Sequence, residues 1–188
     1  MKRHVLGSCV LILTAFAFLA ALRGTTPSYA YLTGPIGISG AAHENVVGRT
    51  LAAEVGTVRL AKVLRAKLYG KDVERDTSGI WAVVNSKIEA TSQTATMQFA
   101  VWLGPSGRQY AATRRLEGAP GFLLGATLQP GLPRNGIFIF ELPPDEIENG
   151  VLLLSTSPLR TLDTELRLQP QTSGLSQLSV LELTRDGG

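Results

Sequence analysis

Cysteine and histidine are almost absent from this chain of 188 residues. Its one cysteine, Cys9, lies in an N-terminal apolar stretch, and its two histidines are His4 and His43. A single cysteine excludes an intramolecular disulfide. Because only His43 remains after residue 30, a His/Cys metal cluster is excluded there, and a zinc site would need carboxylates alone.

The shortage of histidine also limits catalysis. A Ser-His-Asp triad would have to use His43, and the sequence has no Gly-x-Ser-x-Gly elbow to accompany it. The carboxylates Asp145, Glu146 and Glu148 fit neither a calcium loop nor a rigid acid–base pair. A solvated turn is the favoured interpretation of these three residues, with weak calcium binding as the alternative. We therefore predict a non-enzyme without catalytic residues, metal or cofactor.

The chain also lacks an excess of charge in its main part. The formal net charge is +3, but Lys2, Arg3 and Arg23 precede residue 30 and no acidic residue does. Beyond that point basic and acidic residues balance, so there is no global field to hold a nucleic acid. Residues 31–116 are net basic and 117–188 net acidic. The two charges either mix in the fold or form a polarised surface that steers a charged partner.

Long apolar runs are confined to the N-terminus, where residues 5–22 contain no charge. A basic start precedes this stretch, and a Ser-x-Ala pattern ends at residue 30. These features predict a secretory signal peptide cut between Ala30 and Tyr31. Eighteen apolar residues also just span a membrane, so an uncleaved anchor over residues 1–30 is the alternative. In either case the rest of the chain is expected to be periplasmic or to face the periplasm.

The remaining sequence shows short alternating segments and no convincing long helix. Residues 31–47 are rich in glycine and alanine and are predicted to be a spacer before a domain at 48–188. Apolar residues alternate along 57–68, 80–90 and 97–103, which is typical of half-buried strands. Segment 71–79 is expected to be a polar turn, 108–116 a further strand and 118–136 a long loop. Eight or nine such strands predict an antiparallel β-sandwich.

Two groups of residues are candidates for contacting a ligand or partner. Trp81, Trp102 and Tyr110 are the first group, and these aromatics could line a carbohydrate or peptide surface, although packing in the core is the competing interpretation. Arginines form the second group, which could bind an anionic lipid headgroup or an acidic protein, or only cover a solvated strand face. Its members are Arg108, Arg114 and Arg115.

The tetrad at 104–107, Gly-Pro-Ser-Gly, resembles a nucleic-acid or phosphate clamp only superficially. A Gly-x-x-Gly clamp of the KH kind lies between helices, whereas this tetrad lies between predicted strands. A Walker loop needs four residues between its glycines, followed by Gly-Lys. Proline fixes φ and glycine permits a reversal, so the tetrad predicts a hairpin tip. The open question is whether Arg108, just past the tip, meets a partner.

Five short motifs occur in an order that carries a family resemblance. The motifs are Gly48-Arg49-Thr50, Gly79-Ile80-Trp81-Ala82-Val83-Val84, Gly107-Arg108-Gln109-Tyr110 after a strand ending at Leu103, Leu128-Gln129-Pro130-Gly131, and Gly136-Ile137-Phe138-Ile139-Phe140-Glu141-Leu142-Pro143. This set resembles the bacterial exported immunoglobulin-like domains of unknown function that are often met in lipoproteins and sometimes labelled telomeric-repeat-binding-factor-like. The sequence departs from that pattern at residues 85–87 and in lacking a correctly placed lipobox cysteine.

The resemblance implies an immunoglobulin-like sandwich outside the cytoplasm and transfers no catalytic residue. We therefore expect a non-catalytic envelope module that contacts an unidentified envelope protein through a sheet edge or loop. The membrane would be a further partner if the N-terminal segment is retained, and no nucleic acid or cofactor is expected. The alternative is a binder of a small ligand or glycan that uses exposed aromatics and the 118–136 loop.

Overall fold

The computed structural model describes the backbone of residues 2–25, 33–157 and 163–184, with side chains from residue 11 onward within these ranges. The chain divides into two units, Met1–Gly34 and Pro35–Gly188. The first contains one α-helix, α1 (Lys2–Thr25). Among the residues whose side chains are described, we find no helix with the length and apolar character to cross a membrane. The predicted cleavage site, Ala30 and Tyr31, lies outside the described residues.

The regular secondary structure described in the second unit is almost entirely β-strand. A single turn of 3-10 helix, Pro144–Glu146, interrupts the strands. The strands of its described residues are β1 (Ile36–Ala41), β2 (Val46–Val47), β3 (Leu51–Leu68), β4 (Lys71–Ala90), β5 (Ala95–Thr96), β6 (Phe99–Leu103), β7 (Gln109–Ala111), β8 (Thr127–Leu128), β9 (Arg134–Leu142), β10 (Val151–Ser155), β11 (Thr164–Gln169) and β12 (Gln177–Leu183).

Two sheets pack face to face and enclose the main core. Sheet I has the strand order β1-β11-β10-β6-β7, and sheet II has the order β12-β3-β4-β9 with β2 added beside β3. Alternate side chains of both sheets meet in one buried cluster, for example Leu154 and Leu166 from sheet I with Val84 and Phe140 from sheet II. The β-sandwich predicted from the alternating sequence is therefore confirmed.

The sandwich is mixed, whereas the alternation predicted purely antiparallel sheets. β1 lies parallel to β11, and β12 lies parallel to β3. The first and last strands each join a sheet edge beside a strand that is distant in sequence. A parallel pair needs a long crossover rather than a tight turn, so no local turn residue marks it.

The predicted spacer over residues 31–47 contains two of these strands. β1 pairs with β11 along its whole length, and Val46 and Val47 pair with β3. The compact unit accordingly begins at Pro35. The glycines that indicated a spacer instead permit close packing, because a Cβ on Gly40 would collide with the Val46 side chain.

Two further boundaries differ from the sequence prediction. The polar segment 71–79 is part of β4, which pairs with β3 up to a turn at Tyr69 and Gly70. It is polar because this half of the hairpin is largely exposed, and ladder pairing needs no apolar side chains. Conversely, β7 ends at Ala111 rather than near residue 116.

Beyond β7 the chain crosses the outer face of sheet II. The Thr113 N–H donates to the Ile139 carbonyl at 2.8 Å, and three hydrogen-bonded turns follow between Arg114 and Phe122. Leu116 and Ala119 are buried there in a second cluster with Trp81. Sheet II is thus covered on both faces, which positions Trp81 inside the domain.

Candidate functional site

The Gly-Pro-Ser-Gly tetrad forms the tip of the β6–β7 hairpin, as predicted. The Gly107 N–H donates to the Gly104 carbonyl at 2.9 Å, and the Gly104 N–H donates to the Arg108 carbonyl at 2.9 Å. Gly107 has φ +83°, a left-handed conformation that glycine adopts without strain. This is a hairpin with a three-residue loop closed by a left-handed glycine.

A buried carboxylate lies directly beneath this tip. Glu146, at the end of the 3-10 helix, is 1% exposed, although the sequence predicted a solvated turn. The Ser106 hydroxyl donates to Glu146 Oε1 at 2.5 Å, and the Ser106 N–H donates to Oε2 at 3.4 Å. Arg108 Nη1 lies 3.8 Å from Oε1. A Cβ on Gly104 would overlap Oε2, so the first glycine of the tetrad makes room for this carboxylate.

These contacts hold the Glu146 carboxyl in its charged form. Its pKa is lowered, first by the Ser106 hydroxyl hydrogen bond and then by the Ser106 N–H, the Arg108 charge and a hydrogen bond from Tyr110. Burial acts in the opposite direction and is outweighed. A buried, fully paired carboxylate of lowered pKa is poorly suited to general acid catalysis. The cluster ties the hairpin tip to the 3-10 helix and gives the Arg108 side chain, which is 71% exposed, a carboxylate neighbour within the chain.

Both tryptophans predicted as ligand contacts are completely buried. The Trp102 indole N–H donates to the Glu146 carbonyl at 2.8 Å, and its ring packs 5.9 Å from that of Phe140 in the main core. The Trp81 indole N–H donates to the Arg75 carbonyl at 3.1 Å in the second cluster. Neither ring has a surface with which to contact a ligand. Tyr110 is partly buried and packs against the main core.

The three arginines do not form one cationic patch. Arg108 faces Glu146 at the hairpin tip, and Arg114 pairs with Glu117 at 3.4 Å. Arg115 pairs with Glu141 at 2.9 Å and lies 5.2 Å above the Trp81 ring. Each charge already has a carboxylate partner in the chain. The anionic headgroup site that the sequence left open stays a prediction.

Replacing Arg115 with alanine is expected to lower the free energy of unfolding by about 1 kcal/mol. The variant loses a half-exposed ion pair and a cation–π contact, each of which contributes about 0.5–1 kcal/mol at such sites. Denaturant unfolding of the full chain measures the change. Arg114→Ala is the matched control, since its exposed pair is expected to contribute less than about 0.5 kcal/mol. Equal losses in the two variants would contradict a stabilising contact with Trp81.

The 118–136 segment is part of the fold rather than a free ligand-binding loop. Leu123, Leu124 and Leu128 are buried in the main core. The Leu123 N–H donates to the Ile137 carbonyl at 3.1 Å, and the Ile137 N–H donates to the Gly121 carbonyl at 2.8 Å. The segment therefore covers the outer edge of β9. Leu132, at 61% exposure, is the one large hydrophobic side chain that this segment exposes, and the structure describes the segment in full.

Neither a metal-ligand cluster nor a cleft of uniform charge is found among the described residues. In the parts of the chain that the structure describes, no group of three His, Cys, Asp or Glu side chains is placed to hold a metal ion. A cleft of about 500 Å³ lies at the far end of the β3–β4 hairpin, lined by side chains of both signs. Arg65 and Glu74 in that cleft pair with each other at 2.6 Å. This internal pairing leaves no uniform charge to select a ligand.

The edges of the two sheets differ in how they are protected. In sheet I, β7 is only three residues long, which limits pairing with another chain. In sheet II, the edge of β9 is covered by the 113–123 segment. β1 and β12 are the remaining outer strands, and each pairs with one neighbour among the described strands. β12 carries Glu182 in an exposed position, whereas β1 has the uncharged sequence IGISGA.

The outward backbone groups of β1 follow from its register with β11. The Ile36 N–H donates to the Asp163 carbonyl at 2.9 Å, so Ile36 points its backbone groups inward. Successive residues of a strand direct these groups to opposite sides, which makes Ile38 and Gly40 inward as well. Gly37 and Ser39 then direct their N–H and C=O groups away from the sheet. Both residues are exposed.

One end of this edge is closed by the chain itself. The Ala41 N–H donates to Glu44 Oε2 at 2.9 Å, and the Glu44 N–H donates to the Ala41 carbonyl at 3.3 Å. The turn after β1 therefore supplies hydrogen-bond partners for both outward backbone groups of Ala41, the last residue of the strand. Glu44 is exposed and forms no ion pair within the described part of the chain. Among the described residues, the open edge comprises the outward groups of Gly37 and Ser39, with exposed Ile36 at one end and the Glu44 carboxylate at the other.

Comparison with known proteins shows similarity at the level of the fold. The sequence matches no family model and no curated protein. A secreted Mycobacterium tuberculosis protein, MPT63, aligns over 72% of this chain and 98% of its own, with 16% identity and a TM-score of 0.51. An uncharacterised β-sandwich protein from Clostridium difficile 630 covers 77% of the chain and 99% of its own, with 9% identity and a TM-score of 0.48. The yjhA protein from Bacillus subtilis covers 69% and 99%, with 14% identity and a TM-score of 0.48.

Proposed function

We propose that this chain is an exported, non-catalytic module of the bacterial envelope that binds an extended segment of another protein. The partner segment adds to sheet I as a further strand beside β1. Main-chain hydrogen bonds supply the affinity in this mode of recognition, and side chains at alternate positions supply the specificity. The open β1 edge is the observation that carries the proposal.

Export is proposed from the first 30 residues. A basic start, an apolar stretch and a small-x-Ala pattern are typical of a secretory signal, and a retained anchor would leave the module on the outer face of the inner membrane. The finer fold assignment, an immunoglobulin-like domain of the lipoprotein type, is proposed from the five ordered motifs. MPT63, which shares the fold with a TM-score of 0.51, is itself a secreted protein.

The side chains along the β1 edge indicate which residue types the partner segment carries. β1 carries no charged residue and no proline, the features with which proteins commonly block an edge. An incoming strand would place small side chains beside Gly37 and Ser39, because the Arg167 side chain of β11 already lies against Gly37 and fills the space on that face. A basic residue of the partner would face Glu44 at the end of the edge. We therefore infer an extended, uncharged segment that is flanked by a lysine or arginine.

Ser39→Pro is expected to weaken partner binding at least ~10-fold while leaving the fold intact. Proline removes only the outward N–H of Ser39, and edge strands tolerate proline when that N–H faces solvent. The full chain would first capture its partner from an envelope extract, and mass spectrometry would identify that partner. Titration calorimetry with the purified partner then gives the affinities of wild type and variant.

Ser39→Thr is the matched control, because it keeps the N–H and should bind as the wild type does. Ile38→Pro removes an inward hydrogen bond and is expected to destabilise the domain. Equal partner affinity of Ser39→Pro and wild type would overturn the proposed edge pairing. Self-association of the free chain that Ser39→Pro abolishes would overturn the assignment to a different protein, because the occupant would then be a second copy.

A further inference from the structure

An uncharged polar cleft lies at the end of β1 and β11. Its lining includes no residue of the hairpin tip or of the open β1 edge. Its volume is about 360 Å³, and it lies between the turn after the 3-10 helix and the segment that follows β11. Its lining residues are Ala42, Asn149, Gly150, Gln169, Pro170, Gln171, Thr172 and Ser173. No lining residue carries a charge, in contrast to the cleft beside the β3–β4 hairpin.

A hydrogen bond joins the two walls of the cleft, which are the turn at residues 149–150 and the segment 169–173. The Asn149 N–H donates to Thr172 Oγ1 at 3.1 Å, and Thr172 is buried. Asn149 adopts φ +57°, a left-handed conformation that asparagine tolerates better than most residues. Such conformations persist only where the surroundings hold them in place, and they are concentrated at binding sites.

The floor of the cleft rests on the main core. A Cβ on Gly150 would collide with the Trp102 ring, so the indole packs directly against this glycine from the inside. Trp102 is in turn fixed by its hydrogen bond to the Glu146 carbonyl. The Gly150 backbone is therefore packed between the cleft and the indole, and a ligand bound against it is expected to change the environment of the Trp102 N–H.

Four polar side chains line the rim of the cleft. Within the described part of the chain, no hydrogen bond uses the side chains of Asn149, Gln169, Gln171 or Ser173. Each amide offers two N–H donors and one carbonyl acceptor, and each hydroxyl can donate and accept. These groups are complementary to a neutral ligand that carries many hydroxyls or amides. An anion or cation would find no opposite charge here.

We infer that this cleft binds a neutral saccharide. Sugar hydroxyls both donate and accept, which matches the mixture of amides and hydroxyls on the rim, and the volume of the cleft lies within the range of small-ligand sites. The volume accommodates one or two sugar rings. The site is separate from the β1 edge and does not depend on the proposed function. It also differs from the glycan surface predicted from the sequence, because it uses no exposed aromatic ring.

The test is an NMR titration of the full chain with chitotriose and, separately, maltotriose. We expect the amide signals of Gly150, Thr172 and Ser173 and the Trp102 indole N–H signal to shift with a common, millimolar dissociation constant for at least one saccharide. The double variant Gln171→Ala/Ser173→Ala should raise that constant at least ~10-fold, because it removes two rim side chains without touching the core.

Three further variants and one peptide complete the test of saccharide binding. Gln93→Ala, an exposed glutamine on a distant loop, should bind as the wild type does. Asn149→Gly keeps the left-handed backbone and removes the amide, so it should weaken binding. Ser39→Pro should leave saccharide binding unchanged, which separates this site from the proposed edge. The absence of shifts at the cleft with both saccharides, or shifts with the neutral peptide Gly-Gln-Gly alone, would overturn the inference.

Discussion

Replacing Trp102 with alanine is expected to lower the free energy of unfolding by about 3–5 kcal/mol, a large part of the stability of an ordinary domain. The ring is completely buried between the sheets, contacts Phe140 and supports Gly150. Alanine would leave a cavity and an unpaired carbonyl at Glu146. Urea unfolding followed by circular dichroism measures the loss.

Two controls separate packing from general effects of losing an aromatic ring. Tyr69→Ala removes a ring that is 85% exposed at the β3–β4 turn, and we expect a change within about 0.5 kcal/mol. Trp102→Phe keeps most of the buried volume and should lose less than Trp102→Ala. A Trp102→Ala variant with the wild-type denaturation midpoint would show that this ring is a surface contact, as the sequence allowed, and not part of the core.

Replacing Glu146 with alanine is expected to lower the melting temperature at pH 7 by about 5–10 °C. The change leaves the Ser106 hydroxyl, the Arg108 guanidinium and Tyr110 without their common acceptor beneath the hairpin tip. Glu146→Gln keeps the shape but loses the charge, so its effect should be intermediate. Ser106→Ala removes the shortest of these bonds and should be milder than Glu146→Ala.

The pH dependence gives this prediction a distinct signature. The pKa of Glu146 is lower in the folded protein than the ordinary value of 4.5. Its stabilising contribution is therefore fully present above about pH 4.5 and is lost as the pH falls through the lowered folded-state pKa. The difference in melting temperature between wild type and Glu146→Gln should shrink below that pH. A difference that stays constant from pH 7 to pH 3 would contradict a charged Glu146.

The hairpin tip could be predicted from sequence because its causes are local. Proline and a left-handed glycine act within four residues. Glu146 could not be predicted in the same way, because it lies 40 residues from Ser106 and enters the site only through the tertiary fold. One signal was present nonetheless. A turn of this kind needs Gly107, but it does not need Gly104, whose missing Cβ is explained by the carboxylate.

Trp81 and β1 both show what local alternation does not predict, which is contact between distant segments. Alternation placed Trp81 opposite the main core, which is correct, but it could not show that residues 113–122 cover that face. For β1, the glycines of IGISGA conceal the alternation of Ile36 and Ile38, because a strand with few side chains to bury leaves a weak pattern. In both cases the missing information is a pairing between distant segments, which no local period encodes.

Amide hydrogen exchange along β1 tests the central claim, an open strand edge, most directly. In the free full chain, the amides of Ile38 and Gly40 should exchange slowly because they pair with β11. Those of Gly37 and Ser39 should exchange faster by on the order of 100-fold, since they face solvent. Addition of the partner should then slow Gly37 and Ser39 selectively. Uniform protection of all four amides in the free chain would contradict an open edge.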